Sequence, residues 1–494
     1  MQLVDSKKML AHALTRRSFG ASTLASAVSY TAGTVTASAA SIQSPADKGP
    51  YDVAIIGAGV AGIAAAQVCR AARNTSSIVL EARPRIGGRC YCNNSFEVPF
   101  DVGGQWFHFA TPRADGRSGT NNPLLDIANS RQFRSRVRPV PDPNLVLREF
   151  YRNGQVVPAQ DSDLTEVLQL QVGMLAAIDA AGIAIGMGLS PDISAAQATA
   201  IFAKDPWYDY VASTIALAGG AFSEQSTFDM YRNFRLGFDV GASLGNWLTP
   251  YGMGNFIRLL SAGLPIQLNR AAKSIAWGQK EGVSIETDAG TVKARTAIIT
   301  VPPIVLATDS KDRLSFTPSL PDAQRDAMQA LPMTAVEKVA LQFSKNIFSG
   351  VRDSNIFAQL LDNGPAIKVA QARSWGHNTA VFLIDGPAVV ELAKEGSQAR
   401  IKYALDGLKA MFHGDPEKYL TRSDSSDWWT DPLSIGSYSY VGPGHAPARE
   451  ALSQPVGDQL FFAGEACSVD KHSSLPGAWE SGQAAAGFAL KTLH

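Results

Sequence analysis

Residues 51–81, YDVAIIGAGVAGIAAAQVCRAARNTSSIVLE, form the segment that most constrains how this chain can fold. The run Val53–Ile56 is apolar and rich in β-branched residues, which is typical of a buried parallel strand. A Gly-x-Gly-x-x-Gly turn follows at once, then an alanine-rich helical stretch and a second apolar run that ends in Glu81. An ordinary glycine-rich turn would not need these flanking elements. Their order predicts a dinucleotide-binding strand–turn–helix–strand unit.

Each glycine of the turn has a physical role in this interpretation. Gly57 permits a tight turn, Gly59 lets a pyrophosphate approach the backbone, and Gly62 lets the helix and the strand pack closely. The N-terminus of the helix offers free N–H groups and a partial positive charge to the phosphates. Glu81 can accept hydrogen bonds from ribose hydroxyls, which favours NAD or FAD over NADP.

Length and composition indicate a globular enzyme of several domains. The chain has 494 residues, of which 45% are hydrophobic and 18% charged, values that are ordinary for a globular protein. Lys plus Arg equals Asp plus Glu at 44 each, so the net charge indicates neither a nucleic acid partner nor an anionic membrane. No uninterrupted apolar stretch is long enough to cross a bilayer, and we expect no membrane span.

Residues 1–40 differ in composition from the rest of the chain. The twin arginines Arg16 and Arg17 precede an uncharged stretch of Gly, Ala, Ser and Val, and Ala37–Ala39 fits a small-residue cleavage site. A disordered tail with two accidental arginines is the alternative. We expect a twin-arginine signal peptide that is cleaved near Ala39, which would make the mature protein periplasmic or secreted.

The cysteines indicate neither a disulfide framework nor a metal site. There are four, Cys69, Cys90, Cys92 and Cys467, which is few for a chain of this length. Cys90 and Cys92 do not have the Cys-x-x-Cys spacing, and no cluster of His or Cys completes a site. We expect four structural cysteines and no bound metal.

Motifs at both ends of the chain carry a resemblance to a known family. The segments EARPRIGGR (81–89) and DVGGQWFH (101–108), together with FAGE (462–465) and PGAWESG (476–482), resemble the flavin-containing amine oxidase family. That family includes monoamine oxidases, polyamine oxidases and L-amino acid oxidases. The resemblance extends over nearly all of the mature chain, with its strongest motifs at the two ends.

The resemblance implies an α/β fold. We expect a Rossmann-like FAD-binding domain of the glutathione-reductase type, with an inserted α+β substrate-binding domain. The expected boundaries place the FAD-binding domain at 50–122, 250–305 and 421–494, and the substrate-binding domain at 123–249, which is mostly helical, and 306–420. Within these segments, apolar periodicity predicts helices over 164–185, 193–202, 207–222 and 388–412, and strands over 336–343 and 379–384.

The resemblance also implies which residues hold FAD. Arg89 would contact FAD, the pair Gly103–Gly104 would lie against the flavin, and Glu465 would bond the ribityl chain. The helix that begins near Pro476 would direct its N–H groups at the flavin's pyrimidine carbonyl. The full set of expected cofactor-binding residues is Gly57, Gly59, Ala61, Gly62, Glu81, Ala82, Arg83, Gly88, Arg89, Gly103, Gly104, Gln105, Trp106, Ala272, Trp429, Gly464, Glu465, Leu475 and Pro476.

Two residues match catalytic positions of the family. Lys338 corresponds to a lysine that holds a water beside flavin N5, whereas without the resemblance it would be interpreted as a surface lysine with a buried stem. Tyr438 corresponds to one side of an aromatic clamp around the substrate. Monoamine oxidases attach FAD through a cysteine just before this tyrosine, and Ser437 stands there, so we expect non-covalent FAD.

The opposite side of the aromatic clamp is not an aromatic residue in this chain. Its position falls at Ser474, so Trp428 or Trp429 is a candidate to complete the clamp. His108 is a further candidate for the substrate pocket, and a structural histidine is the alternative.

The implied reaction is oxidation of an amine C–N bond. A neutral amine would pass a hydride from its α-carbon to flavin N5, and the resulting imine would hydrolyse to a carbonyl compound and an amine or ammonia. Oxygen, with H₂O₂ as product, or another redox partner would accept the electrons. The oligomeric state is open, with a homodimer as one option.

Two alternatives stay open at this point. The first is an L-amino acid oxidase, although Trp106 stands where those enzymes have an arginine for the substrate carboxylate, so that Arg232 or Arg235 would have to replace it. The second is an inactive flavin-binding protein. Lys338 and Tyr438 argue against inactivity.

Overall fold

A computed structural model describes residues 50–112, 118–142, 149–152, 155–158, 161–215, 222–234, 246–307, 313–348, 355–358, 368–412 and 415–493. The expected signal peptide, residues 1–40, lies outside the described residues.

In this part of the chain the strands are β1 (Tyr51–Ile56), β2 (Ser77–Leu80), β3 (Cys92–Asn93), β4 (Phe100–Asp101), β5 (Val140–Pro141), β6 (Glu149–Arg152), β7 (Gln155–Pro158), β8 (Trp247–Leu248), β9 (Ile266–Gln267), β10 (Ala272–Gln279), β11 (Gly282–Thr287), β12 (Gly290–Ile299), β13 (Ser315–Thr317), β14 (Val336–Phe343), β15 (Asn355–Ala358), β16 (Lys368–Ala372), β17 (Thr379–Asp385), β18 (Leu420–Ser425) and β19 (Leu460–Phe462). The α-helices are α1 (Val60–Ala71), α2 (Pro123–Ala128), α3 (Arg134–Val137), α4 (Asp161–Gly186), α5 (Ala195–Ala198), α6 (Tyr208–Ile215), α7 (Thr227–Phe234), α8 (Met253–Leu260), α9 (Pro303–Ala307), α10 (Asp322–Gln329), α11 (Pro387–Ala393), α12 (Ser397–Phe412), α13 (Ala448–Ser453) and α14 (Leu475–Thr492). Short 3₁₀ helices span Ala200–Phe202, Ser374–Gly376, Pro416–Tyr419 and Glu465–Cys467.

The larger sheet is built around β1. Strands β2 and β12 flank β1 in parallel, β9 pairs with β2 and β19 pairs with β12, both also in parallel. The N-terminal half of β12 pairs instead with β11 and, through it, with β10 and β13. The parallel strands β1, β2, β12 and β19 are strongly apolar because they are covered on both faces.

Successive residues of β1 contact two different cores. Val53 and Ile55 pack on the side of α1 and α14, whereas Ala54 and Ile56 pack with residues of α10 and α13 on the opposite side. The strand–turn–helix–strand unit predicted from residues 51–81 is therefore confirmed, with α1 beginning at Val60 directly after the glycine turn.

The second sheet has the order β15-β16-β17-β14-β18 and is antiparallel throughout. Helix α12 covers it through a core that includes Phe382, Leu405 and Leu408. This sheet carries Lys338 on its strand β14. The α/β class is confirmed, and the second sheet is the β part of the inserted domain.

Both sheets extend past the expected domain boundaries. Strand β13 (Ser315–Thr317) pairs with β10 in the larger sheet, although 306–420 was assigned to the substrate domain. Strand β18 (Leu420–Ser425) pairs with β14 in the second sheet, although residues from 421 onward were assigned to the FAD-binding domain. In the structure the chain therefore leaves the larger sheet after 317 and leaves the second sheet after 425.

The four predicted helices agree with the structure to different extents. The helix predicted over 164–185 is α4, and that over 207–222 is described as α6, since 216–221 lie outside the described residues. The stretch 193–202 contains only α5 and a 3₁₀ turn. The single helix predicted over 388–412 is wrong, because Gly396 adopts φ +86° and separates α11 from α12.

Helix α4 bears on the expectation that the chain has no membrane span. Among the described residues one helix, Thr165–Gly186, is long and apolar enough to cross a bilayer by length and composition alone. One side of it packs against α6 and α7 through residues such as Met174 and Ile178. Leu168, Val172 and Ile183 are exposed.

All four cysteines are buried and none forms a disulfide. Burial raises the pKa of Cys69 to about 11 and that of Cys92 to about 12, and it also raises the pKa of Cys90 and Cys467. These thiols are therefore protonated at neutral pH, and the structural interpretation of the cysteines is confirmed. Within the described ranges no group of three or more His, Cys, Asp or Glu side chains could hold a metal.

Helices α1 and α14 bring the two ends of the chain together. Gly482 lies so close to α1 that a Cβ atom there would be 2.1 Å from the Ala61 carbonyl oxygen. In the same helix a Cβ atom at Gly487 would have no neighbour within 4 Å. The absence of a side chain at Gly482 is thus what lets the two helices approach.

We expect Gly482→Ala to destabilise the protein by about 1–3 kcal/mol, because the added methyl group forces α14 away from α1. Gly487→Ala is the matched control, and we expect it to stabilise the protein by about 0.5–1 kcal/mol through helix propensity. Urea unfolding followed by circular dichroism measures both. Equal stability of the two variants would contradict the close-packing interpretation.

Candidate active site

The glycine turn after β1 has the geometry of a phosphate cradle. Gly57 adopts φ +105°, and a Cβ atom there would lie 2.5 Å from the Thr300 Oγ1 atom. At Gly62 a Cβ atom would lie 1.9 Å from the Gly57 carbonyl oxygen. At Gly59 it would meet no atom within 4 Å. Open space at Gly59, beside the first N–H groups of α1, is what a pyrophosphate needs.

Glu81 fixes the glycine turn through its side chain. Its buried carboxylate accepts the backbone N–H of Ala58 at 2.7 Å and that of Arg83 at 2.8 Å. The Arg83 guanidinium is engaged with Ser434 and forms an ion pair with Asp431 at 2.8 Å.

The neighbouring expected cofactor-binding residues follow the same strand edge. Ala82 lies directly after Glu81 and is half-buried, and Ala272 is half-buried at the start of β10. Ala61 is buried on α1, where its carbonyl faces Gly482. Their assignment to FAD binding stays a prediction.

Arg89 ties this cradle to the C-terminal motif. Its Nη1 atom donates to the Ser437 carbonyl at 2.8 Å and to Glu465 Oε1 at 3.0 Å. Gly88, with φ +56°, brings its own backbone against Gly59, where a Cβ atom would lie 3.2 Å from the Cα atom. At Gly464 a Cβ atom would meet no atom within 4 Å, so open space lies beside the Arg89–Glu465 pair.

Glu465 is saturated with protein donors. Besides Arg89 it accepts Ser439 through both the backbone N–H and the hydroxyl, and the backbone N–H of Ser473. Burial alone would raise the pKa of Glu465, but the guanidinium groups of Arg89 and Arg449 lower it. The carboxylate is therefore ionised at neutral pH.

The pair Gly103–Gly104 lies in a crowded place where side chains cannot fit. A Cβ atom at Gly103 would be 1.8 Å from the Arg89 carbonyl oxygen and 3.2 Å from the Trp428 ring. A Cβ atom at Gly104 would be 2.9 Å from the Leu475 side chain. The two glycines thus bring the Arg89 turn and the start of α14 together.

Lys338 reaches this glycine pair from the second sheet. Its side chain is buried, and Nζ donates to the Gly103 carbonyl at 2.7 Å, to the Asp101 carbonyl at 3.2 Å and to the Gln105 side-chain oxygen. The Trp106 ring centroid lies 4.9 Å from Nζ. Burial lowers the pKa of Lys338 to about 8. The surface-lysine interpretation is wrong, because the ammonium group is enclosed and fully coordinated.

Asp101, the first residue of the DVGGQWFH motif, is a buried carboxylate to which the sequence analysis gave no role. Burial raises the pKa of Asp101 to about 6, although the backbone N–H groups of Met253 and Gly254 and the ammonium of Lys338 favour its ionised form. The carboxylate accepts those two N–H groups at 3.0 and 3.1 Å, at the start of α8. Its position just before the glycine pair was the only available signal.

His108 stands beside Trp106, with ring centroids 6.0 Å apart. Its Nδ1 atom pairs with the Asn246 side-chain oxygen at 2.9 Å. Burial lowers the pKa of His108 to about 4, so the imidazole is neutral at physiological pH. The structure therefore brings His108, Trp106 and Lys338 together.

A small cavity that is partly open to solvent borders Tyr438. Asn233, Thr334, His472 and Ser473 are among the other residues that line it. Burial raises the pKa of Tyr438, so its hydroxyl stays protonated. Tyr438 thus lies at the boundary between α7 of the helical region and the C-terminal motif.

Both candidates for completing the aromatic clamp pack into hydrophobic clusters of the structure. Trp428 belongs to a buried cluster with Phe100 and Val102, and its indole N–H donates to the Val102 carbonyl at 3.1 Å. Its ring also packs behind Gly103, and its assignment to the substrate pocket stays a prediction. Trp429 packs against the core of the second sheet, and its backbone N–H donates to Glu337 at 2.8 Å.

Ser474 is also a structural residue. Its hydroxyl caps the N-terminus of α14 by accepting the Gly477 N–H at 3.2 Å and donates to the Lys471 carbonyl at 2.5 Å. Leu475 and Pro476 form the first turn of this helix. The capping role uses the hydroxyl proton and one of its lone pairs, and the assignment of Ser474 to the substrate pocket stays a prediction.

A network of buried ion pairs and hydrogen bonds connects helix α7 to the C-terminal motif. Arg449 has no exposed side-chain surface and binds Asp229 of α7 through two hydrogen bonds of 2.9 and 3.0 Å. It also donates to the Ser439 hydroxyl, which in turn bonds Glu465. No motif marked Arg449 or Asp229, because their partners are 220 residues apart in the chain.

Comparison with known proteins identifies the family. The profile of the family described as "Flavin containing amine oxidoreductase" matches residues 60–487. The chain belongs to this family. FAD is therefore its cofactor, and its reaction is the oxidation of an amine.

Several relatives cover most of the chain. Polyamine oxidase 5 of Oryza sativa subsp. japonica is 29% identical over 465 residues, which cover 88% of this chain and 87% of that protein. Polyamine oxidase 2 of Arabidopsis thaliana is 28% identical, with coverage of 88% and 87%. The solved structure of cyclohexylamine oxidase from Brevibacterium oxydans IH-35A has the same fold, with a TM-score of 0.72 at 20% identity, covering 90% of this chain and all of that one.

We expect Lys338→Met to lower the rate constant of flavin reduction by an amine about 10²-fold, because the variant keeps the volume of the side chain but loses its positioned proton donor. FAD content should be unchanged. Rapid-mixing absorbance at the flavin band measures the rate. Lys345→Met is the control, since Lys345 lies exposed over the Tyr419 ring, and a wild-type rate in Lys338→Met would disprove a role for Lys338 in the reaction.

Proposed function

We propose that the substrate is an amine without a carboxylate next to the reacting carbon, such as a polyamine or an alkylamine. The observation that carries this proposal is the pairing of the guanidinium groups near the site. Arg89 is paired with Glu465, Arg449 with Asp229, and Arg232 with Glu450 and Asp229. Among the described residues none of these arginines is left to bind an α-carboxylate, and Arg235 lies outside the described residues.

The names of the relatives support the same substrate class. Polyamine oxidases and a cyclohexylamine oxidase act on amines that their names print, and none of these names refers to an amino acid. The L-amino acid oxidase alternative would need a cation beside Trp106. The cation that the structure shows against the Trp106 ring is Lys338, whose Nζ atom is already coordinated by Gly103 and Gln105.

We place the amine in the cavity beside Tyr438. The Asn233 side-chain oxygen is buried in the lining of this cavity and has no hydrogen-bond partner among the described residues. It can accept an N–H of the substrate, and a buried amide oxygen without a partner costs free energy that such a bond would recover. Tyr438 supplies an aromatic surface for the carbon chain.

Bound FAD would supply the two-electron oxidant for the amine, and the glycine turn, Arg89 and Glu465 are among the residues expected to hold it. The chain's own contribution is orientation and exclusion of water. Lys338 fixes its ammonium at the carbonyls of Asp101 and Gly103, and His108 stays neutral, so it does not repel a cation. Ser437 offers no thiol at the attachment position of monoamine oxidases, which is consistent with non-covalent FAD.

The electron acceptor and the location are also proposals. We propose oxygen as the acceptor, with H₂O₂ as product, and a cytochrome or quinone as the alternative. We propose that residues 1–40 direct export by the twin-arginine route, which suits a protein that folds around its cofactor before transport. The sequence Arg16–Arg17 followed by an uncharged stretch supports this route.

We expect anaerobic addition of spermidine or cyclohexylamine to bleach the flavin of the purified holoenzyme, and L-leucine or L-phenylalanine to leave it oxidised. Absorbance at the flavin band under argon measures the reaction. Bleaching by the amino acids alone would overturn the proposed substrate class, and no bleaching by any amine would favour an inactive flavoprotein. Admission of air or of oxidised cytochrome c then identifies the acceptor.

For export, we expect replacement of both Arg16 and Arg17 by lysine to retain the precursor in the cytoplasm of the expressing bacterium, because the transport machinery reads the arginine pair. Fractionation and immunoblotting measure the distribution. Unchanged export of the double variant would contradict the twin-arginine assignment.

A further inference from the structure

Asp142 is a buried carboxylate beside the site, and none of the sequence motifs includes it. It directly follows β5 and is 6% exposed, and its backbone N–H donates to the Asn246 carbonyl at 2.9 Å. Its Oδ2 atom accepts the indole N–H of Trp106 at 2.9 Å. The residue is therefore held by its backbone and points its charge at a single side chain of the site.

Trp106 in turn faces the ammonium of Lys338. The ring centroid lies 4.9 Å from Nζ, within the range of a cation–π interaction. The other groups around Nζ are oxygen acceptors of Asp101, Gly103 and Gln105. The indole is thus the aromatic component of the ammonium's surroundings, and its orientation depends on the hydrogen bond to Asp142.

We propose that Asp142 is a positioning residue for amine oxidation, whose carboxylate holds the Trp106 indole against the Lys338 ammonium. The inference rests on the proposed function, because the placement of Lys338 matters to catalysis only if the protein oxidises an amine. Asp142 itself contacts neither Lys338 nor, by this assignment, the substrate.

A structural role alone would not require a charge at this position. Burial raises the pKa of Asp142 to about 7, and the indole N–H bond lowers it only in part. An asparagine could accept the same N–H bond without the desolvation cost of a carboxylate. An ionised acceptor, however, strengthens the bond and makes the indole ring more electron-rich, which strengthens its attraction to a cation.

The described groups that face Asp142 include no positive charge in direct contact. From the segment that ends at His108 it meets Trp106, and His108 beyond it is neutral because its pKa is about 4. Strand β8, which pairs with β5, contributes Trp247 and Leu248 and no titratable group. Lys338 is reached only through the indole ring.

The limiting rate of flavin reduction is expected to depend on the ionisation of Asp142. Asp142 is ionised above its pKa of about 7 and protonated below it. Its hold on Trp106 is therefore strongest on the alkaline side, and the limiting rate of flavin reduction should fall as the pH drops through 7. Lys338, with a pKa of about 8, Asp101, with a pKa of about 6, and the substrate amine titrate in the same range. The inflection of Asp142 is therefore identified by comparing wild type with the Asp142 variants on the same substrate.

The test uses the holoenzyme and the variants Asp142→Asn and Asp142→Leu. Asn keeps an acceptor for the indole N–H but does not titrate, whereas Leu removes the acceptor. We expect Asp142→Asn to stay within about threefold of wild type at pH 8.5 and to lack the inflection near pH 7. We expect Asp142→Leu to lose about tenfold to 10² in the limiting rate at every pH, because the indole is no longer held in place.

Asp424→Asn is the matched control. The Asp424 carboxylate accepts the Asn93 amide at 2.7 Å and lies outside the catalytic machinery. The readout is the limiting rate of anaerobic flavin reduction from pH 6 to 9, with FAD content measured for each variant. We expect the control to reproduce the wild-type profile.

The outcomes separate this inference from the proposed function. If wild type is not reduced by amines, the function fails. If wild type is reduced and Asp142→Asn keeps the inflection near pH 7, Asp142 is only structural and the inference is overturned. This second result decides the question even if Asp142→Leu does not fold.

Discussion

The ion pair between Arg89 and Glu465 joins two segments that are 376 residues apart in the chain, and the rest of the site is arranged around it. Arg89 follows the first strand–turn–helix–strand unit, and Glu465 follows the last strand of the same sheet. Both groups are largely buried, so removing either would leave the other charged and without its partner. The Ser437 carbonyl shares the Arg89 guanidinium, which places the segment that carries Tyr438 beside the pair. One contact thus fixes where the glycine turn, the tyrosine and the final helix meet.

The second sheet contributes Lys338 to the site around the Arg89–Glu465 ion pair. Lys338 belongs to β14, yet its ammonium is coordinated by oxygen atoms of residues 101–105, which lie in the first FAD-binding segment. The lysine therefore links the inserted domain to the cofactor domain at the place where the flavin is expected. Asp229 and Arg449 form a second link, from the helical region to the C-terminal motif. Substrate and cofactor are held by elements that these two buried polar contacts keep in register.

Local signals account for what the sequence could predict. The turn with Gly57, Gly59 and Gly62 and the final helix are specified by residues close together in the chain, so their patterns were sufficient. The hydrogen bonds of Ser474 and Trp428 could not be predicted, because a resemblance transfers a position but not the bonds that the local side chain makes. Asp142 and Arg449 were not found at all, since their partners come from distant segments and no spacing rule connects them. The helix predicted over 388–412 is interrupted at Gly396, because one residue with positive φ ends a helix even where the apolar residues continue at helical spacing.

The four buried cysteines have a consequence for the export that we propose for this protein. No cross-link between them contributes to the fold, and their thiols are protonated and shielded from solvent. The folded state therefore needs neither an oxidant nor an isomerase for its completion. Its stability should be the same whether glutathione is abundant or absent, so the molecule can mature on one side of a membrane and work on the other without any change in its covalent structure.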